Sequence, residues 1–251
     1  MERNNITYSS EKVVDHYLKE EALQKPEKQI LELLRNKLSN MKMLDIGVGG
    51  GRTTLHFASL VKEYTGIDYS EKMIEVCRNK FSNYTFHTAD ARDLRMFAEN
   101  EFDFILFSFN GIDYVSYDDR VNALKEIKRI LKPNGYFAFS SHNLQALSKW
   151  GRIPFSFNPF ALVENIKIHY KRKSINNFKL NNLQDLNYLT VNDGAHDWQL
   201  ETCYVTPSFQ AKIIKEIGYN NLKIFDLKNG MEMSTETAKR CSDNWLYYLC
   251  Y

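Results

Sequence analysis

Residues 43–52 read Met43-Leu44-Asp45-Ile46-Gly47-Val48-Gly49-Gly50-Gly51-Arg52 and join an apolar segment to a run of glycines. The segment up to Ile46 predicts the buried end of a β-strand, and the glycines predict a tight turn, because glycine tolerates positive φ. Residues 53–61 place apolar side chains at helical spacing, so a helix follows the turn. A strand, a glycine turn and a helix N-terminus form an elbow that suits a nucleotide, since a ligand can approach the glycine backbone closely.

Two classes of nucleotide use such an elbow, and the glycine spacing distinguishes them. The dinucleotide pattern G-x-G-x-x-G is met by Gly47 and Gly49, but Arg52 stands at its third glycine. Asp45 precedes the glycines and would add negative charge near a pyrophosphate, whereas it suits a ligand with an amine and a sulfonium. The spacing favours the cationic ligand; a dinucleotide site and a glycine turn without a ligand are the alternatives.

Length, charge and cysteine content limit the class of protein. The 251 residues are enough for one α/β domain with an insertion or for two small domains, and the net charge of +2 gives no reason to expect nucleic acid or an anionic membrane. No signal peptide or membrane-spanning run is visible, and the four cysteines show no CxxC or metal spacing. We therefore predict a cytoplasmic protein, a monomer or homodimer, with reduced cysteines and no bound metal.

Acidic residues follow the second and third predicted strands. Residues 62–68 end at Asp68, 21 residues after Gly47, where a carboxylate can accept hydrogen bonds from both ribose hydroxyls. Tyr69 comes next, with an apolar side that can cover an adenine. Residues 84–88 form the third predicted strand and lead to Asp90. The structural alternatives are a helix cap at Asp68 and, after the third strand, an Asx-turn with Asp93 capping a short helix; the latter can hold beside a role for Asp90.

The rest of the chain continues the strand–helix alternation as far as residue 145. Residues 102–107 are almost continuously apolar, as in a central parallel strand, and lead into a loop at the ligand-binding edge of the sheet. A helix is predicted over 118–131, a turn over 132–135 and a fifth strand over 136–140. Residues 149–198 show no such alternation, which indicates an insertion. Strands are predicted at 198–205, 221–226 and 245–250.

The glycine elbow, the two strand-end acids and the run LKEIKRILKPNGYFAFS at 124–140 follow one another in the order found in class I S-adenosylmethionine (SAM) dependent methyltransferases, which the chain resembles over roughly residues 40–145. The resemblance implies a Rossmann-like, doubly wound α/β sheet of seven strands in the order 3-2-1-4-5-7-6, the last strand antiparallel. It also implies a single domain over residues 1–251. The implied activity moves a methyl group from SAM to an N or O atom of a small-molecule acceptor and leaves S-adenosylhomocysteine.

The resemblance also assigns roles to segments and side chains. Asp90 would accept a hydrogen bond from the adenine amino group, and the backbone N–H of Ala91 would reach the ring. Residues 1–25 would form a lid over the cofactor through Tyr17; a surface helix packed on the core is the alternative. Residues 146–198 would recognise the substrate. The predicted cofactor-binding residues are Asp45, Gly47, Val48, Gly49, Gly51, Asp68, Tyr69, Met73, Asp90, Ala91, Arg92, Ser108, Phe109 and Tyr17.

Methyl transfer from a sulfonium mainly requires alignment and exclusion of water, so the catalytic residues leave a weak sequence signal. Asn110 follows the fourth strand and His142 the fifth, at the edge that faces the methyl group. His142 is a candidate base for a hydroxyl acceptor, or a structural histidine that caps its loop. Trp150 and Tyr204 are candidate walls of the substrate pocket. The basic run 171–173 forms either a solvated face or a contact for an anionic substrate.

Three other functions compete with small-molecule methylation. A tRNA or protein methyltransferase is disfavoured by the near-neutral charge. An NAD-linked oxidoreductase is disfavoured by Asp45 and Arg52. A non-catalytic subunit with the same fold is disfavoured by the intact motifs.

Overall fold

The computed structural model describes residues 21–176, 183 and 185–251, except for the side chain of His196. Tyr17 lies outside the described residues, as does most of the predicted lid segment. Its contact with the cofactor stays a prediction.

The first half of the chain forms the parallel part of a twisted sheet. Its strands are β1 (Lys42–Ile46), β2 (Glu63–Asp68), β3 (Thr85–Thr88), β4 (Phe102–Phe107) and β5 (Leu131–His142). They lie in the order 3-2-1-4-5, each parallel to its neighbour. The helices of this half are α1 (Lys25–Leu38), α2 (Thr54–Phe57, continued by a 3-10 turn at Ala58–Leu60), α3 (Glu71–Lys80) and α4 (Tyr117–Ile130).

The second half completes the sheet with antiparallel pairs. Its helices α5 (Pro159–Ile175), α6 (Ala195–Trp198), α7 (Pro207–Glu216) and α8 (Thr235–Ala238) alternate with strands β6 (Tyr188–Val191), β7 (Thr202–Val205), β8 (Leu222–Phe225), β9 (Glu232–Met233) and β10 (Trp245–Cys250). β10 lies between β5 and β8 and is antiparallel to both, which confirms the predicted 3-2-1-4-5-7-6 order with its antiparallel last strand.

The predicted count of seven strands is wrong for the main sheet. In the described residues the sheet has eight strands, because the two-residue strand β9 pairs with β8 through Ile224–Met233 and Phe225–Glu232. A strand of two residues has no alternation to detect. The start of the strand predicted at 198–205 is also wrong, since residues 195–198 form α6 and only Thr202–Val205 pair, with β6 in a separate ribbon.

The fifth strand is longer than predicted because the turn before it is a bulge within the strand. Leu131 pairs with Phe102 and Tyr136 with Phe104, so residues 132–135 bulge out between two paired positions. Asn134 adopts a φ of 61° in this bulge. Left-handed backbone of this kind is most tolerated by Gly and Asn.

Both faces of the sheet are covered, as expected for parallel strands joined by helices. In β4, Ile105 and Phe107 belong to one apolar cluster, with side chains of α4 and α7. Phe104 and Leu106 belong to the opposite cluster, with side chains of α1 and α3. The prediction of a central strand buried on both sides is confirmed. No helix in the described residues is both long enough and apolar enough to cross a bilayer.

Candidate functional site

A cleft of about 490 Å³ opens at the carboxyl edge of β1 to β4. The ends of four neighbouring strands and the loops that follow them supply most of its wall. Its lining residues are Ile46, Gly47, Gly49, Asp68, Tyr69, Met73, Thr88, Ala89, Asp90, Ala91, Arg92, Phe107, Ser108, Phe109, Gly111, Ile112, Tyr114, Val115 and Ala123.

Ten of the fourteen predicted cofactor-binding residues lie in this wall, although they come from four separate segments of the chain. They are Gly47, Gly49, Asp68, Tyr69, Met73, Asp90, Ala91, Arg92, Ser108 and Phe109. The wall does not include Asp45, Val48 or Gly51. The fold therefore brings most of the predicted set to one cavity, while their contacts with a ligand stay predictions.

Asp68 is the buried acid at the end of β2. Its Oδ2 accepts from the backbone N–H of Gly49 at 3.0 Å, and its Oδ1 accepts from the backbone N–H of Ser70 at 2.9 Å. Burial raises the pKa of Asp68 to about 6, against the opposing effect of these backbone hydrogen bonds. The carboxylate thus ties the glycine turn to Ser70, the residue before α3, and lies in the cleft wall; Asp68 is not the N-cap of that helix.

Asp90 at the end of β3 forms a tight unit with Arg92. The carboxylate accepts from the Arg92 backbone N–H at 2.9 Å, which forms an Asx-turn, and from its guanidinium at 2.9 and 2.6 Å. The alternative of Asp93 capping a short helix is wrong, since residues 94–101 contain no helix. Burial acts to raise the pKa of Asp90, but the contacts with Arg92 outweigh it and hold that pKa below its usual value. Arg92 also reaches Asp119 at 3.1 Å. This part of the wall therefore carries a fixed charge pair.

Asp45 faces away from the cleft into the core. Its Oδ2 accepts from Thr53 Oγ1 at 2.6 Å and from the Tyr64 hydroxyl at 2.7 Å. Burial raises the pKa of Asp45 to about 6, opposed by these two hydrogen bonds. The structure gives this carboxylate a role in joining β1 to β2 and to the start of α2.

Comparison with known proteins agrees with this arrangement. The family model described as a methyltransferase domain matches residues 43–135. Residues 43–135 are therefore similar to a methyltransferase domain. The demethylmenaquinone methyltransferase of Staphylococcus aureus (strain MRSA252) is 40% identical over 101 residues, which cover 38% of this chain and 40% of that protein. The chain thus spans about two fifths of the length of the curated relatives that it matches.

Solved structures show the same fold over most of the chain. The 1,6-didemethyltoxoflavin-N1-methyltransferase of Burkholderia thailandensis, with bound 1,6-didemethyltoxoflavin and S-adenosylhomocysteine, superposes with a TM-score of 0.62 at 14% identity and covers 99% of this chain and 85% of its own. A SAM-dependent methyltransferase of Clostridium acetobutylicum superposes with a TM-score of 0.61 at 17% identity, covering 90% and 89%.

His142 lies behind the cleft wall and bonds to Asp113. Its Nδ1 lies 3.0 Å from Asp113 Oδ2, which also accepts from the His142 backbone N–H at 2.6 Å. Asp113 is fully buried and accepts from Arg120 Nε at 3.1 Å and Ser141 Oγ at 2.9 Å. The His142 ring packs edge-on against Tyr114, which lines the cleft, at a centroid distance of 6.0 Å. Sequence reasoning missed Asp113, because nothing local marks an acid whose partners lie 7 and about 30 residues away.

Asn110 is buried next to two residues of the cleft wall. Its φ is 63°, and the preceding Phe109 has a φ of 58°. Its backbone N–H donates to Ser140 Oγ at 2.8 Å, whereas its Oδ1 is buried without a hydrogen-bond partner among the described residues. Two consecutive non-glycine residues in this conformation, with an unpaired amide oxygen, are typical of functional loops.

Trp150 and Tyr204 lie outside the cleft wall. Tyr204 contacts the His142 ring, and Trp150 contacts the Tyr204 ring. The Tyr204 ring is 4.9 Å from that of His142, and the Trp150 ring is 6.4 Å from that of Tyr204. Both belong to a small apolar cluster of the insertion with Leu147 and Val191. None of the described residues in 146–198 lies in the cleft wall. Their predicted role as walls of a substrate pocket stays a prediction.

A buried polar network beneath the glycine turn was not predicted. Glu27 of α1 is fully buried, and its carboxylate accepts from Arg52 at 2.6 and 2.7 Å, from Ser108 Oγ, and from the Tyr247 hydroxyl at 2.9 Å. The signal in the sequence was the helix start Gln24-Lys25-Pro26-Glu27, with an acid at the third helical position. The arginine that breaks the dinucleotide pattern thus anchors the glycine turn to α1 and β10.

The described part of the chain contains no cluster of metal-binding residue types. No group of three or more His, Cys, Asp or Glu side chains there has an arrangement that could hold a metal ion. The four cysteines are free thiols, three of them buried.

Proposed function

We propose that the protein transfers a methyl group from SAM to an N or O atom of a small-molecule acceptor. The observation that carries this proposal is the cleft at the sheet edge, where Asp68 and Asp90 stand at neighbouring strand ends beside Gly47 and Gly49. Its volume of about 490 Å³ lies in the range of small-molecule and cofactor sites. The glycine pattern of dinucleotide sites is absent, since Arg52 stands at its third glycine. The Arg52 guanidinium donates to both carboxylate oxygens of Glu27.

The residues present fit SAM, which would supply an activated methyl group on its sulfonium. Asp68 would hold the ribose hydroxyls, because its carboxylate lies at the cleft and already accepts from the glycine turn. Asp90 and Ala91 would hold the adenine, and the glycine turn would lie along the amino-acid portion. The remaining task of the chain is to align an acceptor and to exclude water.

Two findings support a small acceptor. The names of the relatives above refer to demethylmenaquinone and to 1,6-didemethyltoxoflavin, and the second was seen bound. The acceptor would enter at the side of the cleft formed by Phe109 and Tyr114. The insertion and the N-terminal segment would cover that side.

His142 would act as the base when the acceptor is a hydroxyl. The bond from Nδ1 to Asp113 favours the tautomer that leaves Nε2 as a proton acceptor. A histidine that only supports Tyr114 and Tyr204 is the alternative. The two roles differ in effect, because loss of a base lowers turnover whereas loss of support lowers the free energy of unfolding.

A thermal-shift experiment with SAM, S-adenosylhomocysteine, NAD and NADP tests the cofactor. A ligand at one hundred times its dissociation constant adds about 2.7 kcal/mol to the free energy of unfolding. We expect stabilisation by the first two ligands only. Stabilisation by NAD or NADP without SAM would contradict the proposal. Transfer of a labelled methyl group to pools of small metabolites would then identify the acceptor.

A further inference from the structure

The part of the cleft wall that follows β4 has a strained backbone. Phe109 and Asn110 are consecutive non-glycine residues with φ of 58° and 63°. Residues in this conformation persist only where the contacts around them hold them in place. Ser108 and Phe109 line the cleft, so the contacts that hold residues 108–110 also decide the shape of one side of the cleft. We call this segment the 108–110 loop.

Backbone hydrogen bonds hold the last residue of the 108–110 loop. The Asn110 N–H donates to Ser140 Oγ at 2.8 Å, and the Asn110 carbonyl accepts from the Asp113 N–H at 3.0 Å. Neither bond reaches Ser108 or Phe109, the two residues of the loop that lie in the cleft wall. Their positions therefore depend on side-chain contacts.

Arg52 contacts both of these residues without lining the cleft itself. Its guanidinium carbon lies 4.8 Å from the centre of the Phe109 ring, and its Nη2 lies 3.5 Å from Ser108 Oγ. Only 10% of the Arg52 side chain is exposed, and the residue is not part of the cleft wall. A planar guanidinium can cover an aromatic ring with its face while it donates hydrogen bonds from its edge. One side chain therefore holds the two wall residues from behind.

Glu27 of α1 fixes the Arg52 guanidinium in turn. The fully buried carboxylate accepts from Arg52 Nη1 at 2.6 Å and from Nη2 at 2.7 Å, and the same carboxylate accepts from Ser108 Oγ. Burial acts to lower the pKa of Arg52, but the bonds to Glu27 outweigh it and hold that pKa above its usual value. Two parallel bonds of this kind fix the orientation of a guanidinium as well as its position. The pair is therefore a rigid support for the 108–110 loop.

Arg52 also contacts the segment that leads into α1, since its Nη1 lies 3.3 Å from the Ala22 carbonyl oxygen, which accepts its hydrogen bond. We propose that Arg52 is a positioning residue: Glu27 holds it, and it holds the 108–110 loop in the conformation that shapes this side of the proposed SAM site. The start of α1 and the cleft wall are joined through this one side chain. The proposal rests on the proposed function for the identity of the ligand, whereas the contacts with the loop do not depend on it.

Hydrogen exchange of the full chain without ligand tests the hold of Arg52 on the loop. Arg52→Lys keeps the positive charge but loses the planar group that bonds both Glu27 oxygens and covers the Phe109 ring. We expect the backbone amides of Asn110 and Asp113, whose hydrogen bonds both involve Asn110, to exchange at least about tenfold faster in this variant.

Two further variants separate positioning from a general loss of stability. Ser108→Ala breaks the bond from the loop to Glu27 and leaves both charges in place, so the loop amides should exchange about threefold faster. Leu38→Ala is the matched control, because Leu38 is 1% exposed in the same helix as Glu27 but lies about 16 Å further along it. The cavity lowers the stability of the protein, but the loop amides should exchange at the parent's rate. Equal increases in Leu38→Ala and Arg52→Lys would overturn the proposal.

Calorimetry with S-adenosylhomocysteine tests the consequence for the site. We expect Arg52→Lys to bind this ligand about tenfold more weakly than the parent, because contacts that orient the residues of a site commonly contribute this much. Leu38→Ala should bind it as the parent does. An unchanged affinity in Arg52→Lys would overturn the positioning role. If the parent itself does not bind S-adenosylhomocysteine, the proposed function fails, and the exchange rates, measured without ligand, still decide whether Arg52 holds the loop.

Discussion

The sheet-edge cleft and the insertion use their side chains in opposite ways. Around the cleft, acids and glycines at strand ends point inward, and their positions follow from the backbone of β1 to β4. In the insertion, α5 has no buried residue and presents its aromatic side chains outward. The position of the cleft residues follows from where the strands end. The exposure of the α5 side chains follows from how the insertion packs on the rest of the chain. The wall of the cleft could therefore be predicted from local sequence, whereas the exposure of α5 could not.

The largest effect should come from the buried ion pair that supports His142, on the side of the sheet nearest the insertion. Asp113→Ala leaves the Arg120 charge buried without a carboxylate partner, because both side chains have no exposed area and only the neutral Ser141 and Gln210 remain bonded to the guanidinium. We expect a loss of about 3–5 kcal/mol in the free energy of unfolding, measured by chemical denaturation. Glu236→Ala breaks an exposed pair with Lys239 and should cause no measurable change. Similar losses in both variants would contradict the importance of burial.

The glycine turn offers a test of packing behind the cleft. Gly51 has a φ of 81°, and an added Cβ would lie 2.3 Å from the Phe81 ring. We expect Gly51→Ala to lower the free energy of unfolding by about 2–4 kcal/mol through backbone strain and overpacking. Gly218→Ala is the matched control, because its φ is 101° but its Cβ would meet only the end of Lys128 at 3.9 Å. Equal losses in the two would rule out the clash with Phe81.

Cofactor affinity should depend on the strand-end acid in the cleft wall. Asp68→Ala removes a charged acceptor for two hydroxyls, and we expect a loss of about 1.5–3 kcal/mol in the free energy of SAM binding by calorimetry. Asp93→Ala removes an acid of the neighbouring loop that lies outside the cleft wall and should leave the affinity unchanged. An unchanged affinity in the Asp68 variant would refute its assignment to the ribose.

The raised pKa of Asp68 predicts the direction of a pH effect on SAM binding. With a pKa of about 6, the group is a carboxylate at pH 7 and is mostly protonated at pH 5. A protonated group is a poorer acceptor for hydroxyls, so affinity should fall as the pH falls, by about tenfold between pH 7 and pH 5. Asp68→Asn should remove this dependence. Asp45 also has a pKa of about 6, so Asp45→Asn must retain the dependence if Asp68 causes it.

The smallest effect on the cofactor should come from His142. This side chain does not line the cleft, so His142→Ala should leave SAM affinity unchanged by calorimetry. Turnover with a hydroxyl acceptor should fall if His142 is the base. A fall in SAM affinity would show that His142 contributes to SAM binding, although its side chain does not line the cleft.

The sequence alone determined the fold class and most of the wall of the sheet-edge cleft. The glycine elbow, the acids Asp68 and Asp90 and the apolar fourth strand are local patterns, and parallel strands joined by helices end at one edge of a sheet. The position after a strand predicted a place in the cleft wall for Asp68, Asp90 and Ser108, but not for Asn110 or His142. The exceptions are informative, since Asp45 and Gly51 belong to the same motif but face the core.

Only the tertiary structure decided which distant side chains meet. Glu27 pairs with Arg52 and Tyr247, and Asp113 pairs with Arg120 and His142. A charge pattern does not name its partner, because the pairing depends on strand order and on the packing of helices against the sheet. The exposure of α5 and of the segment before it has the same origin: apolar side chains are usually buried, and only the tertiary packing shows that Phe157 and Phe160 are exposed.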